Sequence, residues 1–245
     1  MTSPGGAILL ISDIHAHYHV VDAQISHAQE TLDRPVDQVL ILGDFGLFGS
    51  NLHDYFRRGR RGFLRPVAFI EGNHEDFRNF DSLVDQYKDV ATYLPRSSVQ
   101  HFNSRSWLCI GGARYMDSWS TPPGCEIREQ DIAACLAHAP RSIDFVISHD
   151  CPTGVGVTNG DGLQHLGPPG VEGLARIADH LQPRLWFFGH HHRWHDNEVG
   201  PTRFVGLPQS WQGYVLLDTG GELQRVEHEV GLPKRPGWLR WIGLK

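Results

Sequence analysis

Lysine is nearly missing from this chain. Lys88, Lys234 and Lys245 are the whole set, so basic charge is carried almost entirely by arginine, which we read as coding bias. The formal net charge is −6 with histidine neutral, which argues against a general binder of polyanions. Cysteine is sparse too. Cys109, Cys125, Cys135 and Cys151 include no C-x-x-C pair, which excludes a zinc ribbon and a thioredoxin-like motif. No apolar run approaches the length of a membrane span. Ala7–Ile11 is too short for the apolar stretch of a signal peptide, and no basic segment precedes it. These absences predict a protein of the reducing cytoplasm with no membrane partner. They leave oligomeric state open.

What is present is ordinary globular material: 245 residues, 40% hydrophobic and 20% charged, enough for a sizeable core. The expected division is one domain over residues 1–230 and a basic tail over 231–245 containing Trp238 and Trp241. Strands, loops and helices alternate. Continuous apolar runs predict buried strands at Ala7–Ser12, Gln38–Gly43, Pro66–Glu71, Ile143–Ser148 and Arg184–Phe188. Shorter strands are expected at Val99–Phe102 and Trp107–Ala113, the latter broken by Gly111-Gly112. Three more are expected near Arg203–Leu207, Gly213–Asp218 and Leu223–Glu227. Helical spacing marks Val20–Leu32, Asn51–Arg61, Phe80–Val90, Glu126–His138 and Val171–Leu181. Asn159–Gly170 is rich in glycine and proline and must be a loop.

Sixteen histidines are many for this length, and a good share fall in five short segments. These are Asp13-Ile-His15, Gly43-Asp44, Gly72-Asn73-His74-Glu75, Ser148-His149-Asp150 and Gly189-His190-His191-His192. Asp13, Asp44, Asn73, His149 and His190 each follow a predicted strand, and loops at the carboxyl ends of strands converge on sites in α/β folds. Read as ligands, the segments supply two Asp, one Asn and four His, with His74 left over. Such mixed donors suit borderline divalent metals. Seven ligands overfill one tetrahedral ion and match two ions that share a carboxylate.

Taken singly, a strand-end Asp is usually a turn or helix cap. The ordered set argues otherwise. His74-Glu75 does not open a zincin motif, because Arg78 stands where the second His belongs. His17, His19, His191 and His195 are expected as exposed loop histidines near the site. The Arg57–Arg65 stretch is expected as a solvated helix end, with nucleic-acid phosphate contact as the alternative.

In their order and spacing the five segments resemble the calcineurin-like metallophosphoesterases, over Asp13 to His192. The resemblance implies an α/β fold with four αββα layers, a two-sheet β-sandwich flanked by helices. It implies one metal on Asp13, His15, Asp44 and His192, and a second on Asp44, Asn73, His149 and His190. A water or hydroxide bridging the two ions would be the nucleophile. His74 would be the general acid, oriented by Glu75 or another carboxylate. Manganese is the first choice of metal, with iron, zinc, cobalt or nickel as alternatives.

Protein phosphatases of that superfamily carry an Arg shortly after the G-D motif and another just before G-N-H. Here those positions hold Phe45–Gly49 and Glu71. Ile147–Pro152 and Pro183–Phe187 faintly resemble lariat-debranching RNA phosphodiesterases. The expected substrate is therefore a phosphodiester, nucleotide or nucleic acid. A phosphomonoesterase on a small molecule, nucleotide or phosphoprotein is the alternative, with Arg78 or Arg114 able to supply a clamp.

Overall fold

Alternation along each strand decides how the layers stack. In β1 (Ala7–Ile11), Ile8 and Leu10 point to one face and Ala7, Leu9 and Ile11 to the other, and all five are buried. A strand covered on both faces has to read as a continuous apolar run, which is why the sequence exposes it so plainly. The computed structural model describes residues 6–116, 121–160, 165 and 167–232. The tail with Trp238 and Trp241, and part of the Asn159–Gly170 loop, lie outside the described residues.

Two six-stranded sheets result. In the first, β1 is flanked by β2 (Val36–Leu42), β3 (Val67–Ile70) and β4 (Thr92–Tyr93), all parallel. Its other edge is closed by antiparallel β11 (Gly213–Leu217) and β12 (Leu223–Glu227). In the second, β6 (Arg105–Ile110), β7 (Phe145–Ser148), β8 (Leu185–Phe188) and β10 (Thr202–Gly206) run parallel. Antiparallel β5 (Ser98–Phe102) and β9 (His195–Val199) form its edges.

Three apolar clusters bind the layers. Ile8, Leu10, Leu40 and Leu42 meet Trp107, Phe145, Phe187 and Val205 between the sheets. Outside the first sheet pack α1 (His19–Ser26, continued over His27–Thr31), α2 (Gly49–Leu52, continued over His53–Arg58) and α3 (Phe80–Gln86). Outside the second pack α4 (Glu129–Leu136) and α5 (Glu172–Leu181). Leu174, Ile177, Ala178 and Leu181 of α5 repeat at helical spacing and are its buried stripe. The expected αββα sandwich is the observed architecture. The strands after His192 divide between the sheets: β9 and β10 extend the second, while β11 and β12 return to the first.

Candidate functional site

β1, β2 and β3 are neighbours in one sheet, and β7 and β8 are neighbours in the other. Their carboxyl ends meet where the sheets face each other. This delivers Asp13, Asp44 and Asn73 from one side and His149 and His190 from the other. The backbone bends sharply there. Asp13, His15, Asp44, His190 and His192 all have φ between 45° and 64°, a region that non-glycine residues seldom occupy. Strain of this kind clusters at functional sites. Two motif glycines allow the close approach: a Cβ on Gly72 would collide with Asp44 Oδ1, and one on Gly189 with Ser12 Oγ.

Asp13, His15, Asp44 and His192 present ligand atoms that all lie within 4.8 Å of one another. His15 Nε2 and His192 Nε2 face each other at 3.5 Å, and His15 Nδ1 lies 3.7 Å from Asp44 Oδ2. Asp13 Oδ1 lies 3.2 Å from His192 Nε2. Asp13 Oδ1 and Asp44 Oδ2 are buried, yet neither takes a hydrogen bond from a described residue. Buried carboxylate oxygens without donors are costly, and a cation is the usual remedy. The other oxygens are fixed. Asp13 Oδ2 accepts from Ser12 Oγ and from His190 N, and Asp44 Oδ1 accepts the N–H groups of Asn73 and His74, both at 2.8 Å.

The remaining expected ligands stand alongside. His149 Nδ1 donates to Leu42 O across the sheets at 2.9 Å. This orients Nε2 towards Asn73 Oδ1, at 3.0 Å, and Asp44 Oδ1, at 3.5 Å. A second group fastened this way is characteristic of metal-ligating imidazoles. The His149 and His190 rings sit 4.9 Å apart. Burial, partly opposed by the Asp150 carboxylate, pushes His190 down to about 4, so its ring is neutral, the form that ligates metals. Burial would raise the Asp13 carboxyl, but His192, His149 and His15 outweigh it and hold it well below the usual carboxylate range. The chemistry of these donors suits borderline divalent ions.

His74 lines a cavity of about 550 Å³ beside Asp44, Asn73, His190 and His192. Its ring lies 5.4 Å from that of His15. Glu75 does not orient it. Both Glu75 oxygens accept backbone N–H groups of the loop after Asp44, from Phe45 at 2.8 Å and Leu47 at 2.5 Å. Burial and the Asp44 charge push the Glu75 carboxyl up to about 8.

Other expectations are refined. His191 is no loose loop residue: its Nε2 meets Asp150 Oδ1 at 3.1 Å. Asp150 also accepts from Arg114 N and Cys151 N, so one carboxylate pins three segments beside the site. His195 is likewise part-buried, 3.0 Å from Val155 O. Sequence reading missed Asp150 because its partners come from distant segments, although it adjoins His149. Glu71 offers no charge to the site, being paired internally with Arg96. Arg114 and Arg193 line the cavity, whereas Arg78 does not. The Arg57–Arg65 stretch starts in the last turn of the helical segment ending at Arg58 and runs on beyond it, with Arg57 bonded twice to Asp89 and Arg65 once to Gln29.

A sequence profile described as calcineurin-like phosphoesterase matches residues 6–194. No curated protein sequence matches. Among solved structures, TT1561 of Thermus thermophilus is similar at 14% identity and a TM-score of 0.56, covering 91% of this chain and 98% of its own. A putative 5'-nucleotidase from Staphylococcus aureus is 15% identical with a TM-score of 0.55, over 91% of this chain and 53% of its own. The phosphopantetheinyl hydrolase PptH from Mycobacterium tuberculosis is 13% identical with a TM-score of 0.51, over 90% and 95%. At these identities the likeness is one of fold. Among the described residues, no helix is long and apolar enough to cross a membrane.

Proposed function

Because the chain belongs to the calcineurin-like phosphoesterase family of metal-dependent hydrolases, we propose that it hydrolyses phosphodiesters at a dinuclear centre, with a nucleotide or nucleic acid as substrate. One ion would be held by Asp13, His15, Asp44 and His192, and the other by Asp44, Asn73, His149 and His190. When bound, the ions supply Lewis acidity towards phosphoryl oxygens and lower the pKa of water in the site. The observation that carries this reading is the pair of donor-free buried oxygens, Asp13 Oδ1 and Asp44 Oδ2, facing imidazole nitrogens.

The chain's own groups have separable tasks. The N–H groups of Asn73 and His74 hold Asp44 at one oxygen and leave the other facing the cluster. His74, on the cavity wall, donates a proton to the leaving oxygen. The diester preference rests on the missing arginines after Asp44 and before Gly72. One observation favours the monoesterase alternative: Arg114 and Arg193 line the same cavity, where a guanidinium pair could clamp a terminal phosphate. Manganese-loaded enzyme should turn over bis(p-nitrophenyl) phosphate faster than p-nitrophenyl phosphate. The reverse preference would replace the diester reading with the monoester one. Elemental analysis should find two ions per chain, and full activity with one would end the dinuclear assignment.

A further inference from the structure

The far wall of the cavity is unlike the rest of the surface. Among the described residues, five large hydrophobic side chains are exposed, and two of them are adjacent on this wall: Tyr115, 52% exposed, and Met116, 43% exposed. Both stand open in the cavity that Asp44, Asn73, His190 and His192 also line, where exposed apolar surface needs a reason. The same lining carries two anchored cations. Arg114 donates through Nη1 to Pro168 O at 2.9 Å, and Arg193 donates to Thr158 Oγ1 at 3.3 Å and His191 O at 3.4 Å. Each guanidinium is thus tied by hydrogen bonds to a neighbouring loop, which holds positive charge on the lining shared by the ligand cluster and the aromatic ring.

We propose that Tyr115 and Met116 form a subsite for the base of a small nucleotide whose phosphate lies at the histidine and aspartate cluster. The inference rests on the phosphoesterase reading and narrows it from nucleotide or nucleic acid to a compact nucleotide. An aromatic ring flanked by a thioether offers a stacking platform that accepts any base, and arginine adds attraction to both base and phosphate. A volume of about 550 Å³ is that of a pocket for one small molecule. A polymer would need cations continuing along a groove. The Arg57–Arg65 stretch does not provide them: the hollows lined by Arg57 and Arg61 share no residue with this cavity.

The test compares adenosine 5'-monophosphate with ribose 5-phosphate, which lacks only the base, by calorimetric titration of the manganese-loaded protein. Wild type should bind the nucleotide at least about tenfold more tightly, the lower part of the range for base stacking on an aromatic residue. Tyr115→Ala should bring that ratio close to one, and Tyr115→Phe should keep it. Equal affinity of wild type for the two ligands would overturn the subsite, as would an unchanged ratio in Tyr115→Ala. If adenosine 5'-monophosphate is hydrolysed, the same ratio is read from KM. The diester reading is decided separately by the two p-nitrophenyl esters, so the failure of one inference is distinguishable from the failure of the other.

Discussion

Two buried clusters of charge begin at Glu71 and Asn73, either side of Gly72, and they are built on opposite terms. Around Glu71 every charge is answered. Arg96 donates to Glu71 at 2.7 Å and to Asp131 at 3.2 Å, and Tyr93 adds a hydroxyl to Glu71 at 3.0 Å. Arg96 also reaches the carbonyls of Gly124, Cys125 and Glu126, and so ties the end of β3 to the segment before α4. Around Asn73 no arginine or lysine faces the carboxylates: imidazoles stand beside them, two carboxylate oxygens accept no hydrogen bond, and two imidazole nitrogens face each other. Burial alone therefore does not mark a functional carboxylate. What separates the two clusters is whether the protein supplies a permanent countercharge, as the Arg96 guanidinium does, or only imidazoles.

The contrast makes its largest prediction at Asp44. Asp44→Asn should remove more turnover than any other single change in the cluster, because a neutral amide serves two cations poorly. The metal-free variant should be no less stable than metal-free wild type, since an unanswered buried carboxylate is relieved. Turnover and urea unfolding measure these two effects, and elemental analysis follows the loss of metal expected with them. Near-normal turnover would remove Asp44 from the shared position.

His74→Ala should come next, with a loss of about 10²–10⁴ in turnover, the usual size for a general acid. Both ions should remain, and the loss should shrink for esters of acidic leaving groups, which need little protonation. Loss of the ions instead would make His74 a ligand.

The self-answered cluster predicts the reverse pattern. Arg96→Met strands Glu71 and Asp131 and should cost about 3–5 kcal/mol of stability, the usual penalty for breaking a buried pair from one side. At temperatures well below the unfolding midpoint the variant should still bind its full complement of metal. If it lost metal as readily as Asp44→Asn, the two clusters would be one unit and the contrast would fail.

These two clusters were not equally legible. The members of the Asn73 cluster could be picked out residue by residue, because the expected ligands follow strands buried on both faces and apolar runs of that kind are plain in sequence. The Glu71 cluster could not. Glu71 read as a charge opposed to a phosphate clamp, and its partner Arg96 lies 25 residues on with no pattern linking them. The same holds for Asp150 and His191, 41 residues apart. Glu75 or another carboxylate was expected to orient His74, but the tight loop after Asp44 leaves the backbone amides of Phe45 and Leu47 needing an acceptor, and Glu75 fills that need. Among strands, β9 (HDNEV) was missed because an exposed edge strand has no apolar face to display, and β4 because it spans two residues. β12 is an edge strand too, yet its alternation around buried Val226 kept it visible.

The smallest effect is expected where charge is answered by water as well as by a partner. Arg57 makes two short hydrogen bonds to Asp89, better geometry than many buried pairs have. Geometry alone would rank it with Arg96. Solvent reverses that ranking: both side chains are exposed, so water takes up either charge when its partner is removed, and salt screens the attraction. Arg57→Ala should leave the melting midpoint within experimental error of wild type and leave metal content and small-ester turnover unchanged. The same variant probes the polymer alternative. If this helix end guides a nucleic acid, charge reversal at Arg57 and Arg58 should weaken RNA or DNA binding and flatten its salt dependence, as the loss of phosphate contacts does. A compact substrate held by the Tyr115 wall predicts no change in either quantity. A clear flattening would show that the functional surface extends beyond the cavity, and that partnered surface charge here is not merely solvated.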